Sequence, residues 1–154
     1  MYWFRIDNRL VHGQIIEAWV PHIRAAALVV ANDELAADEL RQEIMSLAVP
    51  SNVTFCCCRV TDARYEIERL DQEKQGRNIL VLFANCADAK AAYGTGIGIT
   101  QVNLGNLHYG PGKDVLCEHI AVSPDDRSCL SYLRSMGVEL DFRCVPNKPA
   151  KVLL

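Results

Sequence analysis

Two short apolar segments, Ala26–Ala31 and Asn78–Ala84, constrain this chain more than any other feature. Each is followed by a polar residue suited to start a helix. Apolar runs of this length, without polar alternation, suit strands buried on both faces, as in parallel sheets covered by helices. The longest uninterrupted apolar run is the seven residues Ala25–Ala31. A membrane-spanning helix needs about twenty apolar residues, so no bilayer crossing is expected. The first residues, Met1-Tyr2-Trp3-Phe4-Arg5, show no basic leader before an apolar stretch, and no signal peptide is expected.

The remaining segments fit the same plan. Strands are expected at Tyr2–Asp7, Val53–Cys58, Ile99–Leu104 and Val138–Val145, with an extended segment at Val115–Val122. Gln14–Val20 reads as a short helix that Pro21 helps to end. Asp33–Leu47 reads as one helix capped by Asn32 or Asp33, with Ala36, Leu40, Ile44 and Leu47 at helical spacing. Thr61 opens a helix that carries Ala63, Ile67 and Leu70. Asn85 caps Cys86–Tyr93, with Asp88 as its acidic partner. Ser123-Pro124-Asp125-Asp126 starts a helix lined by Leu130, Leu133 and Met136 and stopped by Gly137. Asn106–Asp114 reads as loop and Pro146–Leu154 as tail. Strand–helix repetition over 154 residues implies a single α/β domain, residues 1–154, with a mostly parallel central sheet and helices on both faces.

Composition narrows the function classes. A net charge of −3 and a pI near 5.8 argue against nucleic-acid binding, which needs a clustered positive field. The seven cysteines are odd in number, three are consecutive (Cys56, Cys57 and Cys58), and no Cys-x-x-Cys occurs. They read as reduced thiols serving as small core residues in a cytoplasmic protein. A redox-sensing thiol is the alternative. Cys117 and His119 are too few to hold a metal, and none is expected.

In parallel α/β sheets, ligands sit beyond the carboxyl ends of the strands. That rule nominates Asp7–Gly13, Ala84–Asp88 and Leu104–Lys113. The first loop, Arg5-Ile6-Asp7-Asn8-Arg9-Leu10-Val11-His12-Gly13-Gln14, is the richest in chemistry. His12 falls at or just before a helix N-terminus, where free N–H groups and the helix dipole favour an anion. Gly13 lets backbone approach a ligand, and Arg9 offers a planar fork suited to phosphate. A neutral imidazole is a good nucleophile towards phosphorus, so the loop fits a phosphoryl acceptor better than a metal ligand. A surface histidine with local hydrogen bonds is the plain alternative; a general base is another. His22 and His108 read as surface residues.

Two glycine patterns carry no nucleotide. Gly94-Thr95-Gly96-Ile97-Gly98 follows a helix and precedes a strand, the reverse of a dinucleotide loop. Gly105–Lys113 has only a hint of a P-loop, with no Ser/Thr after Lys113. Gly105 remains a candidate for the rim near His12.

The ten residues 5–14 resemble the signature of the IIB component of the mannose/fructose/sorbose class of bacterial phosphotransferase systems. Ala31–Asp38, Val49–Val53, Val81–Asn85, Val102–Asn106 and Gly137–Leu140 are similar to further segments of that family. The resemblance implies that a IIA protein donates a phosphoryl group to Nδ1 of His12, which passes it to a sugar entering through membrane IIC/IID subunits. Arg9 matches an arginine that clamps the phosphoryl; Arg5 and Asp7 match supporting positions. Gly13, Gln14, Asn85 and Gly105 complete the implied phosphate-binding or supporting set. No cofactor is implied. Cys86 and Asn106 depart from the family, which often has proline and glycine there. Two rivals stay open: a regulatory phosphoprotein of the same fold without a transport role, and a small hydrolase or lyase using His12 as general base.

Overall fold

The structure, a computed structural model, describes residues 1–150 and 152. Six strands form one sheet: β1 (Tyr2–Asp7), β2 (Ala27–Ala31), β3 (Thr54–Cys58), β4 (Ile79–Phe83), β5 (Gln101–Asn106) and, later in the chain, Glu139–Asp141. Between the last two lies a hairpin of β6 (Asp114–Cys117) and β7 (Ile120–Val122), which makes Glu139–Asp141 β8. The sheet order is β3-β2-β4-β1-β5-β8, with every neighbouring pair parallel.

Helices cover both faces, as strand composition requires. Successive residues of a strand point to opposite sides, and both sides of β2 and β4 are fully buried. On one face Leu28, Val30, Leu80 and Leu82 pack with Trp19, Val20, Ile23 and Leu35. On the other, Val29, Ala31, Val81 and Phe83 pack with Ile67, Leu70, Ala89, Ala92, Leu130 and Leu133. Cys57 packs on the first face, and Cys56 and Cys58 on the second. All seven cysteines are unpaired thiols; Cys58, Cys86 and Cys144 are buried.

The expected caps form. Asn32 accepts Leu35 N–H, and Asn85 accepts Asp88 N–H, each at 2.8 Å. Ser123 and Asp126 make a reciprocal capping box at the start of Pro124–Ser135.

Several expectations are corrected. Asp33–Leu47 is two helices, Asp33–Ala36 and Glu39–Ser46, because Asp38 caps Arg41 N–H and restarts the turn. Leu40, Ile44 and Leu47 consequently face solvent, Leu47 with 87% of its surface exposed. Pro21 does not end the first helix. A π-helical turn at Ile15–Trp19 precedes it, so Pro21 lies in the opening turn of the α-helix Val20–Ile23, where a missing N–H costs little. The helix stops instead at Arg24, in the left-handed conformation. Met136 is half exposed at a helix C-cap rather than lining the core. The segment Val115–Val122 folds back as the β6–β7 hairpin, while β8 is only Glu139–Asp141, shorter than Val138–Val145. The Pro146–Leu154 tail lies partly outside the described residues.

Candidate functional site

The chain leaves β1 towards the face that carries Trp19 and Ile23. It leaves β4 and the β5–β7 segment towards the opposite face, with Ala89 and Leu130. β1 lies between β4 and β5. Adjacent connections therefore diverge beyond its carboxyl end, the position at which open parallel sheets bind ligands. Asp7, the last residue of β1, and Asn106, the last of β5, stand there.

Asp7 is fully buried and organises the loop. Its Oδ1 accepts Arg9 N–H at 3.0 Å, and its carbonyl accepts Leu10 N–H at 3.0 Å. This tight turn holds Leu10 at φ +56°, a conformation that costs about 1 kcal/mol or more for a residue with a Cβ. Burial of the Leu10 side chain beside Ile15 and Val30 opposes that strain. The His12 carbonyl then accepts the N–H groups of Ile15 and Ile16, so His12 opens the helix, as its position in the sequence predicted. The π-helical turn follows at once, a feature often found at functional sites.

Four donor groups converge on Asp7 Oδ2. His12 Nε2 lies at 2.8 Å, Asn106 Nδ2 at 2.9 Å, Arg5 Nη2 at 2.9 Å and Arg5 Nε at 3.2 Å. Burial pushes the Asp7 carboxyl up, but the His12 hydrogen bond, the Arg5 charge and the Asn106 amide together hold it below the usual carboxylate range. A carboxylate acceptor makes Nε2 the protonated ring nitrogen of neutral His12. Nδ1 is buried and has no hydrogen-bond partner. Among the described residues the neutral Nε2–H ring thus keeps Nδ1 uncommitted at a helix N-terminus. Only 7% of the His12 side chain is exposed.

The other expected residues divide. Arg9 is exposed, and its guanidinium has no hydrogen bond or ion pair among the described residues. Arg5 is 1% exposed and cannot reach a ligand. It is held by Asp7 and Asn103, lies 5.1 Å from the Trp19 ring centroid, and burial lowers its pKa against the opposing effect of Asp7. Gln14 joins the network through Oε1, which accepts Asn106 Nδ2 at 3.1 Å. A Cβ on Gly13 would meet no atom within 4 Å, so nothing inside the protein demands glycine there. Asn85 stays outside the network; it caps its own helix and bonds Asp88. Gly105 does not lie in a rim loop but within β5, against the Arg5 guanidinium.

Sequence reasoning missed Asn103, Asn106, Trp19 and Arg143 as parts of this assembly. Asn103 donates to the carbonyls of Asp141 and Arg143, and Trp19 Nε1 donates to the Cys144 carbonyl at 2.9 Å. Arg143 lies 5.7 Å from the Trp19 ring centroid. A polar Asn103 between Val102 and Leu104 in a buried strand was the one available signal. Among the described residues, no group of three or more His, Cys, Asp or Glu side chains is placed to hold a metal, and no helix is long and apolar enough to cross a membrane.

Fold and site together define a parallel α/β protein of open-sheet type, with a carboxylate-held histidine where its central strand meets the first helix. The chain belongs to the family of PTS system sorbose subfamily IIB components, whose model matches residues 1–153. It is 30% identical over 146 residues to the N-acetylgalactosamine-specific phosphotransferase enzyme IIB component 2 of Escherichia coli K12, covering 95% of this chain and 91% of that protein. It is 31% identical over 146 residues to the mannose-specific EIIAB component of the same organism, covering 94% of this chain but only 44% of that relative. The crystal structure of the IIBSor domain of the sorbose permease from Klebsiella pneumoniae superposes with a TM-score of 0.85 at 28% identity, over 96% of this chain and 90% of that one. The protein is therefore a sugar phosphotransfer component, of a family that works with IIA and membrane IIC/IID subunits.

Proposed function

We propose that the protein is a cytoplasmic phosphocarrier that takes a phosphoryl group from phosphohistidine of a IIA protein onto Nδ1 of His12 and passes it to a sugar at a membrane permease. The observation that carries this reading is the split in the His12 ring: Nε2 is held by Asp7 at 2.8 Å while Nδ1 has no partner.

The chemistry follows from that split. Nδ1 is buried, so the docking donor first uncovers it; its lone pair then attacks the donor's phosphorus, the donor N–P bond breaks, and its electron pair returns to the donor imidazole. Positive charge that develops on the His12 ring is balanced by Asp7 through Nε2–H. The transferred group arrives at a helix N-terminus, with the unpaired Arg9 guanidinium available for its oxygens. In the second step a sugar hydroxyl oxygen attacks phosphorus, the His12 N–P bond breaks, and the hydroxyl proton is released. Positioning and charge stabilisation suffice for such a loose transition state, so no cofactor is required.

The test is incubation with phosphoenolpyruvate, the general phosphotransferase proteins and a mannose-class IIA. One acid-labile phosphoryl group is expected on the wild type and none on His12→Ala. Phosphorus NMR distinguishes an N–P bond from an S–P bond, which separates His12 from the buried Cys144 thiol that hydrogen-bonds Gln14. No transfer to folded protein from any such IIA overturns the carrier reading. Onward transfer to sugar in vesicles bearing IIC/IID separates a transporter part from a regulatory phosphoprotein. Turnover of a small molecule with no phosphoprotein would instead favour a hydrolase or lyase.

A further inference from the structure

We propose that Asn106 is a positioning residue that holds His12 in the Nε2–H tautomer by fixing the Asp7 carboxylate. The proposal deepens the carrier reading, since that tautomer is what leaves Nδ1 free.

The geometry originates at the end of β5. Leu104 and Leu107 both pack in the same apolar cluster, although regular alternation would place residues three apart on opposite faces. The register with β1 explains this: Ile6 pairs with Leu104, but Asp7 pairs with Asn106, so Gly105 is the extra residue of a bulge. The bulge turns both Gly105 and Asn106 away from the apolar cluster. Gly105 accommodates the Arg5 guanidinium, and Asn106 meets Asp7.

Asn106 then fastens the loop at two points. Its carbonyl accepts Asn8 N–H at 3.0 Å, which ties down the start of the turn. Its Nδ2 donates to Asp7 Oδ2 at 2.9 Å and to Gln14 Oε1 at 3.1 Å, so the amide spans both sides of His12 in sequence. Arg5 approaches the same Asp7 oxygen from within the sheet. Between these donors the carboxylate cannot rotate, and Oδ2 stays aimed at His12 Nε2. Which ring nitrogen of a histidine carries the proton is set by the hydrogen bond that the other makes. A freed carboxylate would let the ring sample the Nδ1–H form, which has no lone pair to give to phosphorus.

The experiment uses Asn106→Ala and Asn106→Leu in the full chain. Both lose the amide donors, and the leucine keeps most of the volume should alanine fail to fold. Long-range nitrogen–proton NMR reads the His12 tautomer with no phosphoryl donor present. The wild type is expected almost wholly as Nε2–H, and the variants with a substantial Nδ1–H fraction. Phosphoryl transfer from a IIA protein should slow by about tenfold, the size of effect seen when a metal-binding histidine loses the partner that orients it. An unchanged tautomer in a folded variant overturns the proposal. If the wild type takes no phosphoryl group, the carrier reading fails, and the tautomer measurement still decides the role of Asn106.

Discussion

A Cβ on Gly105 would lie 1.9 Å from Cζ of Arg5. The buried guanidinium occupies the space that a side chain in β5 would need. Arg5 cannot withdraw, because Asp7 and Asn103 hold it on two sides. The histidine site therefore rests on a buried strand glycine packed against Arg5.

Gly105→Ala should destabilise the fold by about 2 kcal/mol or more, as overpacking of a closed core does. Urea denaturation would show a lower midpoint at unchanged slope. A midpoint equal to that of the wild type would mean that Arg5 has another place to go.

Asp7 should dominate a distinct part of the acid response. Its folded pKa is held below its unfolded value of about 3.9. The stabilisation it provides is complete above the unfolded value and is lost as pH falls through the folded one. Stability curves of the wild type and Asp7→Asn should therefore converge on acidification. A gap that stays constant from neutral pH to strong acid contradicts the assignment.

Arg9 is exposed and its guanidinium has no partner among the described residues, so Arg9→Ala should change stability by no more than about 0.5 kcal/mol. If its guanidinium meets the phosphoryl group, the same variant slows transfer by about a hundredfold, comparable to removing one charge-stabilising donor. Paired measurements of melting temperature and transfer rate separate the two effects. Wild-type transfer would remove Arg9 from the site.

The two ends of the predicted Asp33–Leu47 helix should respond very unequally. Leu35 is fully buried, and Leu35→Ala should cost about 2–5 kcal/mol. Leu47→Ser, on the exposed end, should cost under about 0.5 kcal/mol. Denaturant titrations of both variants provide the comparison.

Much of the fold was legible because its signals are local. Apolar runs marked β2 and β4, and asparagine and serine caps marked three helix starts within a turn of their true positions. The errors share one cause. Helical spacing in Leu40, Ile44 and Leu47 shows a stripe but not what covers it, and no other element packs over that stripe. Pro21 is a stop signal only in an unbroken α-helix, and the π-helical turn before it removed that condition. The nearness of Arg9, His12 and Gln14 to Asp7 was readable because one loop brings them together. Asn85 shares that rim position at the end of a strand, but its side chain is used up in its own cap.

By itself, the sequence determined a parallel α/β domain with a histidine opening its first helix, because strand burial, caps and loop chemistry are written in neighbouring residues. Only the tertiary structure decided that β5 lies beside β1, that a bulge at Gly105 turns Asn106 towards Asp7, and that Nδ1 rather than Nε2 of His12 is left free. Asp7 and Asn106 are 99 residues apart in the chain. A hydrogen bond over that separation depends on strand order and register, which periodicity along a single chain does not encode.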